Sequence, residues 1–235
     1  MIDNRIVTLR AGIDPSTDFA VHEAILREHS PFFRTALDMK WREGRSRQID
    51  LPQDSGEVVA AYVHWLYFQE IASKPTSPPA LPIDDGEYQF LVLLYVFGEK
   101  VQADAFCDDI LDAMASKTDD VAADGTRTFP SHAAIMTLYN GTPPQSPARR
   151  FAVEMYATFG TEHWIPEEAD CNHAEFMTDL VRVFLSRSPA NSVHEQLNFS
   201  RRYEWHKQSE MEGSRTEEFL RTAESVESIR AVDFQ

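Results

Sequence analysis

Cysteine and long apolar runs are both scarce in this chain of 235 residues. Its two cysteines, Cys107 and Cys171, are too few for a disulfide framework or a cysteine-rich zinc site. The most apolar stretch, Phe90 to Phe97, is far shorter than the roughly 20 residues that span a bilayer. The first residues also contain no apolar signal-peptide core. The sequence therefore predicts an intracellular protein, in the cytoplasm or the nucleus, that does not bind membranes.

Basic residues are few as well: 22 Lys and Arg stand against 38 Asp and Glu, for a formal net charge of −16. A chain this acidic is repelled by phosphate backbones and anionic lipids, so we expect no direct binding to nucleic acid. Hydrophobic residues make up 43% of the chain and charged residues 26%, as in ordinary globular proteins. The charge predicts that functional surfaces meet basic or apolar protein faces, with the basic segment Arg42–Arg47 as a local exception.

Motifs of catalysis and cofactor binding are missing. The chain has no glycine-rich phosphate-binding loop and no Gly-x-Ser-x-Gly sequence. Cys107 lies on the apolar face of a predicted helix, which favours a buried structural thiol over a nucleophile. Cys171, His173 and the nearby His163 are metal-binding residue types, but no fourth ligand follows at zinc-finger spacing, so a polar loop is the preferred interpretation. We expect no catalytic residue, metal or cofactor; a thiol enzyme or metal protein is the least favoured alternative.

Hydrophobic periodicity predicts an α+β protein, with a small sheet and a helical cluster followed by an all-helical extension. Ile6–Leu9 and Phe19–Val21 are β-prone and predict a hairpin, and Gln48–Leu51 alternates like a third strand. The predicted helices begin at His22, Pro31, Asp54, Glu87, Ala103, Ala133, Pro147 and Ala174.

Several helix starts carry recognisable signals. Ser30 followed by Pro31 is typical of a cap and first turn, and Ser146 followed by proline predicts the same at a later helix. Asp54 with Glu57 has the spacing of a capping box. His22 is expected to satisfy free backbone groups where a strand gives way to a helix.

Composition divides the chain into three predicted units. Residues 1–117 form an α+β domain with a proline-rich insert at 74–82, residues 118–188 form the helical extension, and residues 189–235 form a charged tail that is partly helical or flexible. A thin amphipathic stripe within the tail predicts either docking on the preceding helices or binding of a partner. It consists of Phe219, Ala223, Val226 and Ile229.

The first unit resembles a BTB/POZ domain, in particular those of fungal proteins with a helical C-terminal extension. The resemblance covers roughly residues 5–116 and rests on five segments in order rather than on one motif. They are Phe19-Ala-Val-His22-Glu-Ala-Ile-Leu26, Ser30-Pro-Phe-Phe33, Trp41-Arg-Glu43, Gln48-Ile-Asp-Leu51 and Val63-His-Trp65-Leu-Tyr67. The resemblance implies structural roles for His22, Leu26, Ser30, Trp65 and Tyr67, with Trp65 and Tyr67 buried near a helix end.

A BTB-like fold implies a protein–protein interaction adaptor without a catalytic centre. Family members that recruit cullin scaffolds carry an apolar residue, any residue and then Glu after the second helix, and Trp41-Arg42-Glu43 occupies that place. This match predicts a substrate adaptor of a cullin-based ubiquitin ligase, with Phe32, Phe33, Trp41 and Glu43 near the scaffold face.

Other interpretations stay open at this stage. Trp41 could simply cover the edge of the core, and the chain could instead be a corepressor-type or scaffold BTB protein that acts through a DNA-binding partner. Arg42, Arg45 and Arg47 are interpreted as a solvated loop. The family's exchanged dimer is not expected, because the strand and helix that partners exchange would have to precede Ile6.

Overall fold

A computed structural model describes residues 5–73, 86–121, 127–165 and 173–187. The proline-rich insert at 74–82, Cys171 and the charged tail at 189–235 lie outside the described residues. The described part is an α+β structure, as predicted, with a small three-stranded sheet and many helices. In this part of the chain, no helix combines the length and the hydropathy needed to cross a bilayer.

The sheet is formed by β1 (Ile6–Ala11), β2 (Thr17–His22) and β3 (Gln48–Leu51), in the order β2-β1-β3. The predicted hairpin is confirmed, because β1 and β2 pair antiparallel, with Val7 opposite Val21. Strand β3 pairs parallel to β1, with Leu9 opposite Ile49. A parallel pair needs a crossover connection, which the helices between β2 and β3 provide.

The helices fall into three groups along the chain. Between β2 and β3 lie α1 (Glu23–His29), α2 (Pro31–Ala36) and the short α3 (Arg42–Ser46). After the sheet come α4 (Gly56–Phe68), α5 (Gly86–Lys100) and α6 (Asp104–Asp119). The last group contains α7 (His132–Gly141), α8 (Pro147–Phe159), a single 3₁₀ turn (Glu162–Trp164) and α9 (Ala174–Ser186).

The predicted helix starts lie within two residues of the observed ones, but the short α3 was not predicted and some of the predicted caps are wrong. The Ser30 hydroxyl accepts from the Phe33 backbone N–H at 3.0 Å, as expected of a cap before proline. Helix α4 is capped by Ser55, whose hydroxyl accepts from Val58 N–H at 3.3 Å. Asp54 instead binds Lys100 on α5 at 2.5 Å, since it lies one residue before the cap. The capping-box interpretation of this start is therefore incorrect.

An aromatic cluster lies in the core among four helices. Tyr62 on α4 stacks on Phe33 and Trp65 and meets Phe97 and Phe106 edge to face, with ring centres 5.1–6.1 Å apart. These five side chains are fully buried. Such ring pairs add to the hydrophobic stabilisation of a core, so the cluster joins α2 to α4, α5 and α6.

Helix α5 is shared by the sheet domain and the helical extension. Its Tyr95 hydroxyl lies 3.1 Å from the Ser146 hydroxyl, and Ser146 donates to Glu99 at 3.1 Å. Ser146 therefore does not cap α8 with its side chain, contrary to the prediction, because α5 takes its hydroxyl. The predicted boundary between 117 and 118 falls within the last turns of α6, and the division into domains stays a prediction.

A buried arginine on α8 contacts residues of both α7 and α9. Arg149 on α8 is 5% exposed. It donates to the backbone carbonyls of Tyr139, at 2.6 Å, and Thr142, and its Nε donates to the Thr142 hydroxyl at 2.9 Å. Its Nη1 reaches Glu175 on α9 at 2.5 Å, and its guanidinium lies 4.5 Å from the Tyr139 ring centre. Hydrophobic periodicity gave no sign of this cluster, because Arg149 stands next to Arg150 in a sequence that is typical of an ordinary amphipathic helix.

Candidate partner-binding surface

The short helix α3 borders a groove of about 320 Å³, which we call the α3 groove. Phe32 and Ala36 on α2 form one wall of it, and Ile49 on β3 contributes a buried floor. Trp41 and Glu43 also line it. The structure thus brings together three of the four residues that the resemblance assigned to a partner face.

Trp41 is the most conspicuous of these residues, because an indole side chain is 53% exposed next to a core built of aromatic rings. Its backbone is fixed: the Trp41 N–H donates to Asp38 O at 2.9 Å, and its carbonyl accepts from Arg45 N–H at 3.3 Å. The backbone that carries the exposed ring is therefore held by hydrogen bonds on both sides of the residue. Large aromatic side chains in such positions are typical anchors of protein interfaces.

Glu43 stands beside this anchor and is only weakly paired. Arg42 Nη2 lies 3.5 Å from Glu43 Oε1 and 3.9 Å from an oxygen of Asp50, and both contacts are exposed. Exposed pairs of this kind are worth at most about 1 kcal/mol. The Glu43 carboxylate can therefore exchange Arg42 for a donor on a partner at little cost.

Gly44 fixes α3 against the preceding turn. A Cβ at this position would lie 2.3 Å from Asp38 O and 2.9 Å from Leu37 O, so only glycine allows the two backbone segments to approach this closely. Helix α3 ends at Ser46, and its C-cap Arg47 adopts a left-handed conformation with φ of 54°. The three arginines are exposed, as the sequence interpretation expected, but the segment is not a loop, because Arg42 and Arg45 belong to α3.

Phe33 does not belong to the partner face. It is fully buried and stacks on Tyr62, so its placement near a scaffold by the sequence is wrong. Its neighbour Phe32 is half-buried and lines the α3 groove. Successive residues point about 100° apart on a helix; with one ring in the core, the other therefore faces the groove.

The residues with predicted structural roles divide into two sets. Leu26, Ser30 and Trp65 are fully buried, as the resemblance implies. The His22 ring makes no capping bond at the start of α1. Tyr67, predicted to be buried, is 40% exposed.

His22 and Tyr67 nevertheless act together. The Tyr67 hydroxyl accepts from the His22 backbone N–H at 3.1 Å and lies 2.7 Å from His22 Nδ1. Because the histidine ring turns toward α4, it is unavailable to the backbone of α1. These hydrogen bonds therefore connect the β2–α1 junction to the end of α4, and they do not cap a helix.

The remaining candidates for chemistry are scattered. Cys107 is buried, as predicted. His163 is exposed and lies 3.9 Å from Glu162, whereas His173 packs against the Tyr139 ring with centres 5.0 Å apart. Within the described ranges, no three His, Cys, Asp or Glu side chains form a group that could hold a metal ion. These residues therefore add no second site to the α3 groove.

Comparison with known proteins adds no relationship to this geometry. A scan against protein-family models and a search of curated proteins both return no match to the chain.

Proposed function

We propose that this chain is a BTB/POZ-like adaptor that binds other proteins through the α3 groove and has no catalytic activity of its own. The order of its elements supports the proposal. A hairpin leads into two helices and the short α3, a third strand returns parallel to the first, and three longer helices follow. This order agrees with the one that the sequence resemblance implies for residues 5–116.

The exposed Trp41 ring in the α3 groove is the observation that carries the proposal. An indole can bury a large area in a partner, and the adjacent Glu43 carboxylate can accept hydrogen bonds that fix the orientation. The apolar floor at Ile49 and the half-buried Phe32 provide a surface for a complementary side chain. Together they form a compact anchor with a polar edge.

The specific form of the proposal is substrate recruitment to a cullin-based ubiquitin ligase. The Trp41-Arg42-Glu43 match motivates this form, and α7–α9 would extend the scaffold contact or present the client. The exposed apolar side chains Val181, Phe184 and Leu185 on α9 offer a surface for either role.

Binding to a purified cullin N-terminal domain, measured by calorimetry, tests the proposal. We expect the wild type to bind and a Trp41→Ala/Glu43→Ala variant to lose at least tenfold in affinity, as is usual when an interface anchor is truncated. A matched control, Phe68→Ala/Glu57→Ala, removes an exposed aromatic ring and an exposed carboxylate from α4 and should bind like the wild type.

Equal binding by the wild type and the Trp41→Ala/Glu43→Ala variant would contradict the assignment of the α3 groove. If no cullin binds and a DNA-binding protein copurifies from the native host instead, the corepressor-type alternative replaces the ligase form.

A further inference from the structure

A second recess lies on the other side of α3. It has a volume of about 370 Å³, and we call it the arginine recess because Arg5, Arg27 and Arg47 line it together with Glu23, Asp38 and Met39. It adjoins the α3 groove, since Glu43 lines the groove and the next residue, Gly44, lines the recess. A partner that covers α3 therefore contacts both the α3 groove and the arginine recess.

Glu23 neutralises only part of the positive charge in the arginine recess. Arg5 Nε lies 3.6 Å from one Glu23 oxygen, and Arg27 Nη1 lies 3.5 Å from the other. The Glu23 side chain is 8% exposed, so one enclosed carboxylate is shared by two guanidinium groups. Arg47, the third arginine that lines the recess, makes no ion pair with this carboxylate.

The other acidic residue of the recess is already engaged. Asp38 lies 3.1 Å from Lys40 Nζ and accepts from the Lys40 backbone N–H at 3.2 Å. These hydrogen bonds hold the pKa of Asp38 below its ordinary value, so it stays ionised and offsets Lys40. Arg45 and Arg47 are exposed, and neither side chain has a partner among the described residues. The recess and its rim therefore carry excess positive charge.

This local charge stands out against the rest of the chain. Residues 1–50 contain eight basic and eight acidic residues, so the whole net charge of −16 comes from residues 51–235. At physiological salt, charges act over about 8–10 Å. A short acidic segment at α3 therefore experiences mainly the arginines, whereas a long polyanion such as nucleic acid would also be repelled by the acidic remainder.

We propose that the partner presents a short acidic protein segment that crosses α3, with an apolar side chain in the α3 groove and a carboxylate in the arginine recess. The planar, forked guanidinium group matches a carboxylate, which favours this ligand at Arg47. A helix with its side chains is about 10 Å across, and an extended chain advances about 3.3 Å per residue. The two anchors should therefore be three to four residues apart. This inference deepens the proposed function, on which it rests, by assigning the partner's chemistry.

An amide NMR titration of the full chain with short acetylated peptides tests the inference. The probe FGSEE carries an aromatic anchor with carboxylates three and four residues after it, and FGSKK is its charge-reversed control. We expect the acidic probe to shift the amide signals of the segment that contains Met39, Gly44 and Arg47, and its affinity to fall as salt rises from about 50 to about 200 mM. The basic probe should leave these signals unchanged.

Charge reversal at Arg45→Glu/Arg47→Glu should weaken binding of the acidic probe about tenfold, because two exposed attractions become repulsions. Arg182→Glu, an equally exposed change on α9, is the control and should bind the probe like the wild type. Unchanged thermal unfolding of both variants excludes a folding defect. Equal binding of the two probes, an unaffected Arg45→Glu/Arg47→Glu variant, or much tighter binding of a phosphoserine version of the probe would overturn the inference.

The failure of this inference can be told apart from that of the proposed function. If the acidic probe binds at α3 but no cullin domain does, the inference stands and the ligase form of the function fails. If the cullin domain binds through Trp41 and Glu43 but ignores charge reversal at Arg45 and Arg47, the function stands and the inference fails.

Discussion

The buried Arg149 provides the sharpest test of how the helical extension is held together. Methionine has an unbranched side chain that fills much of the same space, but it is uncharged and donates no hydrogen bond. The substitution Arg149→Met therefore removes every hydrogen bond that Arg149 donates. The carbonyls of Tyr139 and Thr142 then face the interior without that donor. We expect Arg149→Met to destabilise the packing of α7, α8 and α9.

The size of the effect follows from these contacts. Each buried acceptor left without a donor costs about 1–3 kcal/mol, and the lost contact with the Tyr139 ring adds about 0.5–2 kcal/mol. The ion pair with Glu175 adds little, since that carboxylate is 59% exposed. These terms add to roughly 2.5–8 kcal/mol. Breaking a buried charged network usually costs about 3–5 kcal/mol, which lies within that range and is the loss that we expect. In a protein of this size, it lowers the melting temperature by roughly 10 °C.

Urea unfolding followed by circular dichroism, with hydrogen exchange of the α9 amides, measures this loss. Arg149→Lys should recover only a small part of it, because an ammonium group cannot reach the Tyr139 and Thr142 carbonyls with the same geometry. Arg150→Met changes the exposed neighbour on the same helix and should cost less than about 1 kcal/mol. If Arg149→Met unfolds within about 1 kcal/mol of the wild type, with unchanged exchange in α9, the reasoning is refuted.

Three further substitutions probe the sheet domain and α3. Ser30→Ala removes a helix-capping bond and a 2.5 Å bond to the Val101 carbonyl, so urea unfolding should show a loss of about 2–3 kcal/mol; a loss below about 0.5 kcal/mol would contradict the buried cap. Gly44→Ala places a methyl group 2.3 Å from Asp38 O, so α3 must shift and NMR should show much weaker binding of the acidic probe; wild-type binding would mean that α3 tolerates displacement. Trp65→Phe loses a 2.6 Å bond to a carboxylate of α6, at an expected cost of about 1–3 kcal/mol in thermal unfolding; an unchanged melting temperature would argue against that bond.

Local patterns allowed much of the fold to be predicted from the sequence. The hairpin and the start of α2 follow from contacts between residues close in the chain, as at Ser30 and Phe33. The strand at Gln48–Leu51 was predicted from its alternation of polar and apolar residues, although its partner β1 is distant in the chain. Caps were predicted less well where a distant element competes for the side chain. Asp54 binds Lys100 and Ser146 turns to α5, and neither contact leaves a signal in the local sequence.

The candidate site was predicted only in part, for a related reason. The resemblance assigned both of two adjacent phenylalanines to the partner face, whereas the structure buries Phe33 and leaves Phe32 half-buried beside the α3 groove. The arginine recess could not be predicted, because it joins Arg5, Arg27 and Arg47 from three separate segments. The three arginines are visible in the sequence, but they come close together only because the crossover from β2 to β3 folds the chain back.

The α3 surface is separable from the stability of the fold. Trp41, Arg45 and Arg47 are exposed, and surface substitutions without buried partners usually change stability by less than about 0.5 kcal/mol. The backbone that carries them is nevertheless rigid, because Gly44 packs directly on the preceding turn. When the backbone of a binding surface is already ordered, binding costs little conformational entropy. If these variants lose binding but keep their stability, the residues contact a partner. Substitution of a residue that merely covers the edge of the core would instead lower both the stability of the fold and the binding.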